Sequence, residues 1–382
     1  MNAEKARRFG TVISRLIEGE NISGAQANEM FREVLLNEQP EMQQGAFLAA
    51  LKAKGETPEE MAGSWQAIYD LDTVKVKPEV SEPLVDNCGT GMDTFKTFNI
   101  STAASIIAAA GGVKMAKHGA RAITSCCGTV DILETLGIDV ECDPEIVKRS
   151  IERAGIGIFN GMSPKVHPRA LARILSQIFF GTTLNIAASL ANPALPRYGV
   201  RGVYAKEMVE PVALVMREIG YRRALVVHGL VDHGSQGMDE ASTVGETFIA
   251  ELQENGKIKK YFIAPEDLGI PRGKKSSLVP LRNRRNEALR LIAVLDGKET
   301  GTRSDIVCLN AALVLYLMNV SPTIQDGFKR AKEIIATGGA IEKLKNWVRE
   351  QNSDPDRGLK KLNRLLNMSA RLAQGLSSEL AL

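Results

Sequence analysis

Residues 84–116 read LVDNCGTGMDTFKTFNISTAASIIAAAGGVKMA, and the fold is decided there. Leu84 to Asp86 is strand-like, Thr102 to Ala110 is an Ala-rich helical run, and Val113 to Ala116 is strand-like again. The texture continues outward. Gly157 to Phe159, Ala224 to Val227 and Tyr261 to Ile263 read as short strands, with helical stretches such as Pro211 to Ile219 between them. Strands alternating with helices predict a largely parallel sheet with helices on its faces. Such sheets bind ligands outside the carboxyl ends of their strands, so the loops after the strands are where chemistry is expected.

Upstream the pattern is different. In Ser23 to Leu36, apolar Ala27, Met30, Phe31, Val34 and Leu35 fall on one helical face. Thr57-Pro58-Glu59-Glu60 is a helix start with a capping box and a first-turn proline. Met61, Trp65, Ile68 and Tyr69 then share a face. No strand signal occurs before Val74. The expected architecture is a small helical N-terminal domain (1–72) plus a larger α/β domain with a mostly parallel central sheet (73–382). Part of 165–200 is expected to pack with the helical domain.

Composition excludes other classes. The 382 residues carry 48 Lys plus Arg against 45 Asp plus Glu, a net charge of +3, too balanced to imply nucleic acid by itself. Aromatics are 5%, too few for base-stacking platforms. No apolar run approaches the roughly 18–20 residues of a membrane helix, and MNAEKARRFG has no apolar run behind its basic residues, so no signal peptide is expected. Five cysteines without CxxC or Cys/His spacing fit a cytoplasmic thiol protein. Pro271 to Arg285, with six basic residues and no acid, reads as an exposed basic loop.

Four strand-end loops carry candidate chemistry. In the first, Gly89 and Gly91 let backbone approach a ligand, and Ser101 or Thr102 is placed to cap the following helix. A helix N-terminus suits phosphate, and Asp93 beside it implies a metal or sugar hydroxyl between them. The bland alternative is a tight turn and an ordinary cap. The second loop, Lys117-His118-Gly119-Ala120-Arg121, offers Lys117 or Arg121 to a polyphosphate; the alternative is solvated charges at a strand end. The third, Thr124 to Asp131, is a second hydroxyl-rich helix start. Its vicinal Cys126-Cys127 are either redox-active or merely packed. The fourth runs from His228 to Glu240, where adjacent Asp239 and Glu240 suit Mg²⁺; the alternatives are a solvated acidic pair or a transition-metal site with His228, Asp232 and His233.

Taken in order, DNCGTGMDTFKTFNIST (86–102), KHGAR (117–121), GTVDILETLG (128–137), Asn192-Pro193, VVHG…GMDE (226–240) and Leu309-Asn310-Ala311-Ala312 resemble the anthranilate phosphoribosyltransferase family over nearly the whole chain. The resemblance implies a homodimer formed through the helical domain and an active site in the cleft between domains. It implies Mg²⁺-dependent transfer of 5-phosphoribosyl from phosphoribosyl pyrophosphate to a nitrogen acceptor. The implied substrate-binding residues are Gly89, Thr90, Gly91, Asp93, Asn99, Ser101, Thr102, Lys117, His118, Ala120, Arg121, Ser125 and Thr129. The implied metal ligands are Asp239, Glu240 and Ser101.

The departures gather on the acceptor side. Met92 stands where the family has glycine. Ala120 stands where it has an anthranilate-contacting Asn, and Gly181 where it has a carboxylate-pairing Arg. Leu230 to Gln236 lengthens the Asp-Glu loop. Two further readings remain open: nucleoside phosphorylase-type ribosyl transfer to phosphate, and a non-catalytic homologue binding nucleic acid through 271–285.

Overall fold

Local signals start the N-terminal helices. In the computed structural model, which describes residues 3–91, 93–121, 127–232, 234, 236–281 and 283–373, α1 (Ala3–Ile17), α2 (Gly24–Leu35), α3 (Glu41–Lys54) and α4 (Pro58–Asp72) form an all-helical lobe. Ser23 caps α2, and Thr57 and Glu60 form the reciprocal capping box of α4. Phe9, Phe31 and Phe47 meet edge-on at its centre.

The α/β part follows in order: β1 (Leu84–Gly89), α5 (Ile100–Ala110), β2 (Lys114–Gly119), α6 (Thr129–Leu136), α7 (Pro144–Ala154), β3 (Ile156–Asn160), α8 (Leu171–Ile178), α9 (Thr183–Leu190), β4 (Tyr198–Gly202), α10 (Val209–Glu218) and β5 (Arg223–Val231). Then come β6 (Gln236–Met238), β7 (Thr247–Leu252), β8 (Ile258–Ile263), α11 (Arg284–Leu295), α12 (Thr302–Leu317), α13 (Ile324–Ala336), α14 (Gly339–Glu350) and α15 (Pro355–Ala373). The sheet order is β3-β2-β1-β4-β5-β7-β8. The first five strands are parallel, while β7 and β8 are antiparallel, and β6 folds back on β5. The mostly parallel sheet agrees with the sequence. Strands β4, β6 and β7 were not predicted.

Strand β5 shows how the sheet divides two cores. Leu225 and Val227 face a core built with α5, α6 and α11–α14, whereas Ala224 and Val226 face one shared with the helical lobe. Helix α5 is buried on nearly every side, as its all-round apolar sequence requires.

Helices α8 and α9 lie against the helical lobe. The Trp65 indole donates to the Leu190 carbonyl at 2.9 Å. Asp72, the last residue of α4, accepts the N–H groups of Arg169, Ala170 and Leu171 at 2.6, 2.9 and 2.8 Å. Its carboxylate therefore serves as the missing cap of α8, whose own N-cap, Ala170, has no side-chain acceptor. Asp72→Ala leaves three donors without their acceptor. It is expected to cost about 2–4 kcal/mol, read from the urea unfolding midpoint, with Asp72→Asn costing less.

Candidate active site

Two glycines open the site. Gly89, the last residue of β1, pairs in register with Gly202, the last residue of β4. A Cβ on Gly89 would stand 2.0 Å from Asp239 Oδ2, and one on Gly202 would stand 1.5 Å from the Asp239 carbonyl oxygen. The segment carrying the acids thus crosses directly over the ends of these strands. Gly91 has φ +69° and donates its N–H to Asp239 Oδ2 at 2.7 Å. The segment is held from below by Asn310 of α12, which exchanges hydrogen bonds with Ala241 N–H and C=O, both 2.9 Å.

Helix α5 starts differently from the sequence expectation. Neither Ser101 nor Thr102 caps it, because both already lie in its first turn, and Asn99 at the cap position makes no side-chain cap bond. The acceptor comes from 139 positions away: Glu240 Oε1 takes the Ser101 N–H at 3.1 Å. A carboxylate at a helix N-terminus is stabilised by the helix field. The Thr102 hydroxyl is fully buried and has no hydrogen-bond partner.

These contacts bring Gly89, Gly91, Ser101, Asp239 and Glu240 together, with the Thr90 N–H donating to the Gly202 carbonyl at 3.0 Å and Asp93 close enough for its charge to act on Asp239. Burial and the charge of Asp93 push the Asp239 carboxyl up to about 6. Burial and the neighbouring Asp239 raise Glu240 well above the usual range. Lys96 pairs with Asp93, at 2.8 Å. Buried carboxylates that repel one another, with an orphaned hydroxyl beside them, fit a small hard cation. Among the described residues no three acids, histidines or cysteines converge as a complete cage. That also fits Mg²⁺, which is held by one or two carboxylates and completes its shell with phosphate oxygens and water.

The remaining sequence candidates make their polar contacts outside this cluster, although the charge of Lys117 acts on Glu240. Asn99 donates to the Cys127 carbonyl at 3.2 Å and ties the first loop to the third. Thr129 is the first residue of α6, which is capped by Asp131 accepting the Gly128 N–H at 3.0 Å. Lys117 is buried, with its ammonium on the Asn87 carbonyl and the Ser105 hydroxyl, and burial lowers its pKa. Arg121 is paired with Asp131, Glu134 and Glu141 at 3.3, 2.8 and 3.3 Å, so its charge is spent on protein acids rather than offered to phosphate. His118 is turned inward. Its Nε2 meets His167 Nε2 at 3.2 Å, and burial pushes its pKa down to about 3, so the ring is neutral at pH 7. Ala120 is exposed and Gly181 partly exposed. Met92, Ser125, Cys126, His233 and Arg282 lie outside the described residues.

Sequence reasoning missed Gly202 and Thr94 and assigned no role to Asn310. Gly202 lies in Tyr198-Gly199-Val200-Arg201-Gly202, too polar and glycine-rich to announce a central strand. Thr94 exchanges hydrogen bonds with Gly237, 143 positions away, which no local pattern signals.

The helical lobe and the mostly parallel α/β lobe each match a glycosyl transferase family, which places the chain in a two-domain glycosyl transferase class. Residues 11–71 match the glycosyl transferase family helical bundle domain, and residues 81–341 match its a/b domain. The chain is 39% identical to the anthranilate phosphoribosyltransferase of Thermoanaerobacter sp. (strain X514), over 87% of this chain and 95% of that one. It is 38% identical to that of Methanococcoides burtonii, over 88% and 92%. The Thermus thermophilus enzyme superposes with a TM-score of 0.80 at 32% identity, covering 89% of this chain and 98% of that one. A Saccharomyces cerevisiae enzyme in complex with PRPP and Mg shares the fold, with a TM-score of 0.78 at 22% identity over 91% and 99% of the two chains. The chain belongs to the anthranilate phosphoribosyltransferase family.

Proposed function

We propose that the protein transfers a 5-phosphoribosyl group from phosphoribosyl pyrophosphate to a small nitrogen acceptor, anthranilate or an analogue, with Mg²⁺. The observation that supports this most is the acidic centre at the strand ends: Asp239 and Glu240 buried beside Asp93, under the Gly89–Gly91 turn. Asp239 and Glu240 would hold the metal, with Ser101 beside them, and the metal would supply positive charge to the departing pyrophosphate. The chain's own residues position the ligand and the acids. Gly89 and Gly91 admit the ligand close to backbone, and Asn310 fixes the acid-bearing segment. No side chain is assigned as a nucleophile. Burial holds the Cys88 thiol up to about 11, so it stays protonated at neutral pH.

The basic stretch favours the small-molecule reading over nucleic acid. Arg272 pairs with Glu266, Lys275 with Asp232 and Arg284 with Asp131. Those charges answer protein acids and are not a free phosphate-tracking surface. A homodimer through the helical lobe is part of the proposal, supported by exposed Ile17 and Met42 there. A cytoplasmic location is part of the proposal; no helix among the described residues is long and apolar enough to cross a membrane.

Phosphoribosyl pyrophosphate with Mg²⁺ is expected to raise the melting temperature, by about 2.7 kcal/mol of stabilisation at a hundredfold excess over Kd. An unchanged melting curve would defeat the proposal. An acceptor screen with labelled phosphoribosyl pyrophosphate, anthranilate included, then names the acceptor. Phosphate-dependent release of base from nucleosides, without pyrophosphate, would select the phosphorylase reading instead.

A further inference from the structure

The lengthened loop between Gly229 and Asp239 folds as a hairpin. Strand β5 runs on to Val231, and β6 returns antiparallel, pairing Gly229 with Met238 and Val231 with Gln236. Its tip is held from outside by Asp232, which pairs with Lys275 at 2.9 Å. Its returning strand runs close over the His228 ring. A Cβ on Gly237 would come within 2.2 Å of His228 Nε2, so only glycine fits there.

The returning strand grips the first loop. The Gly237 N–H donates to Thr94 Oγ1 at 2.9 Å, and the Thr94 hydroxyl donates back to the Gly237 carbonyl at 3.3 Å. The same carbonyl accepts the Phe95 N–H at 3.0 Å. Thr94 follows Asp93 directly, and Gly237 stands two residues before Asp239. The contact therefore staples together the two backbone segments whose acids repel each other. Like charges on neighbouring segments repel, and these three hydrogen bonds oppose their separation.

We propose that Thr94, through its exchange with Gly237, is a positioning residue that fixes the Asp239-bearing segment against the Asp93 loop before the metal arrives. The proposal rests on the phosphoribosyl-transfer reading and extends it to the metal affinity of this chain. Groups that hold and orient metal ligands typically alter affinity 10–100-fold when removed. Thr94 is exposed, so its hydroxyl can be removed with little disturbance of packing.

The test measures Mn²⁺ binding, read as loss of the free-ion electron paramagnetic resonance signal, with phosphoribosyl pyrophosphate present. Thr94→Val is expected to bind Mn²⁺ about tenfold more weakly than the parent, and Thr94→Ser to restore binding to within about twofold. Melting curves without metal check that both variants are folded. Parent-like Mn²⁺ binding by folded Thr94→Val would overturn the proposal and leave the proposed function standing. Equal weakening in Thr94→Ser would also overturn it, because the hydroxyl would then not be the operative group. A parent that binds no Mn²⁺ under these conditions would overturn the proposed function and this inference together.

Discussion

Gly202→Ala is expected to lower phosphoribosyl pyrophosphate binding at least a hundredfold and to destabilise the fold by about 1–3 kcal/mol or more. The new methyl would lie 1.5 Å from the Asp239 carbonyl oxygen, 2.3 Å from its carbonyl carbon and 3.1 Å from its Cα. All three are backbone atoms, so no rotamer change relieves the overlap. Either β4 shifts within the sheet or the Asp239–Glu240 segment lifts away from the strand ends. The second course carries both acids with it, and positioning errors near 1 Å cost about a hundredfold. Gly89→Ala is a graded comparison. Its Cβ meets the Asp239 side chain at 2.0 Å, which can rotate, but only by breaking the bond from Gly91 N–H. The fold should survive while ligand binding falls. Titration calorimetry with phosphoribosyl pyrophosphate and Mg²⁺, beside urea unfolding, separates the two effects. Tight ligand binding by Gly202→Ala would contradict the two-glycine window.

The second large effect has opposite signs with and without ligand. Asp239→Asn with Glu240→Gln is expected to abolish the melting shift given by phosphoribosyl pyrophosphate and Mg²⁺, yet to raise the melting temperature of the free protein. Both carboxyls lie above their ordinary range in the folded chain, chiefly through burial. A raised acid binds its proton more tightly folded than unfolded, so the free protein loses stability as pH rises from about 4 through about 6, the Asp239 window. The amides carry no charge to desolvate and keep an oxygen for the Gly91 and Ser101 N–H groups. The double variant should therefore lack that pH-dependent loss. Metal stabilisation of the parent should grow across the same interval, because Mg²⁺ competes with protons for Asp239. Melting series from pH 4.5 to about 7.5, with and without ligand, read both signs. A double variant that melts lower than the parent at pH 7 without ligand would show that the acids hold the fold rather than burden it.

Part of this was legible in the chain. The run from Leu84 to Ala116 announced β1, α5 and β2, because strand, turn and helix there each follow from near neighbours. The Thr57 box was legible for the same reason, and Asp239-Glu240 stood out as adjacent acids on a glycine-rich loop. What stayed hidden depends on distant partners. Strand β4 is a strand because β1 and β5 flank it, and its glycines answer to Asp239 rather than to local propensity. Helix α5 takes its cap from Glu240. Arg121 looked like a phosphate ligand until Glu134 and Glu141 were seen to neutralise it. The hairpin between Gly229 and Asp239, and its grip on Thr94, had no local signature.

The cap that Asp72 gives α8 and the bond from Trp65 to Leu190 also bear on how the chain is made. The N-terminal lobe is discontinuous: its packing surface is completed by α8 and α9, and the Trp65 contact closes a separation of 125 residues. During vectorial synthesis the first four helices emerge long before their covering segment. They must wait, with Trp65 and its neighbours incompletely covered, while β1, β2 and β3 are still being made. Closing that long loop is an entropic step that local helix formation cannot hasten. Its completion should be among the late events of folding, and a nascent chain ending before Leu190 should be the species most in need of chaperone protection.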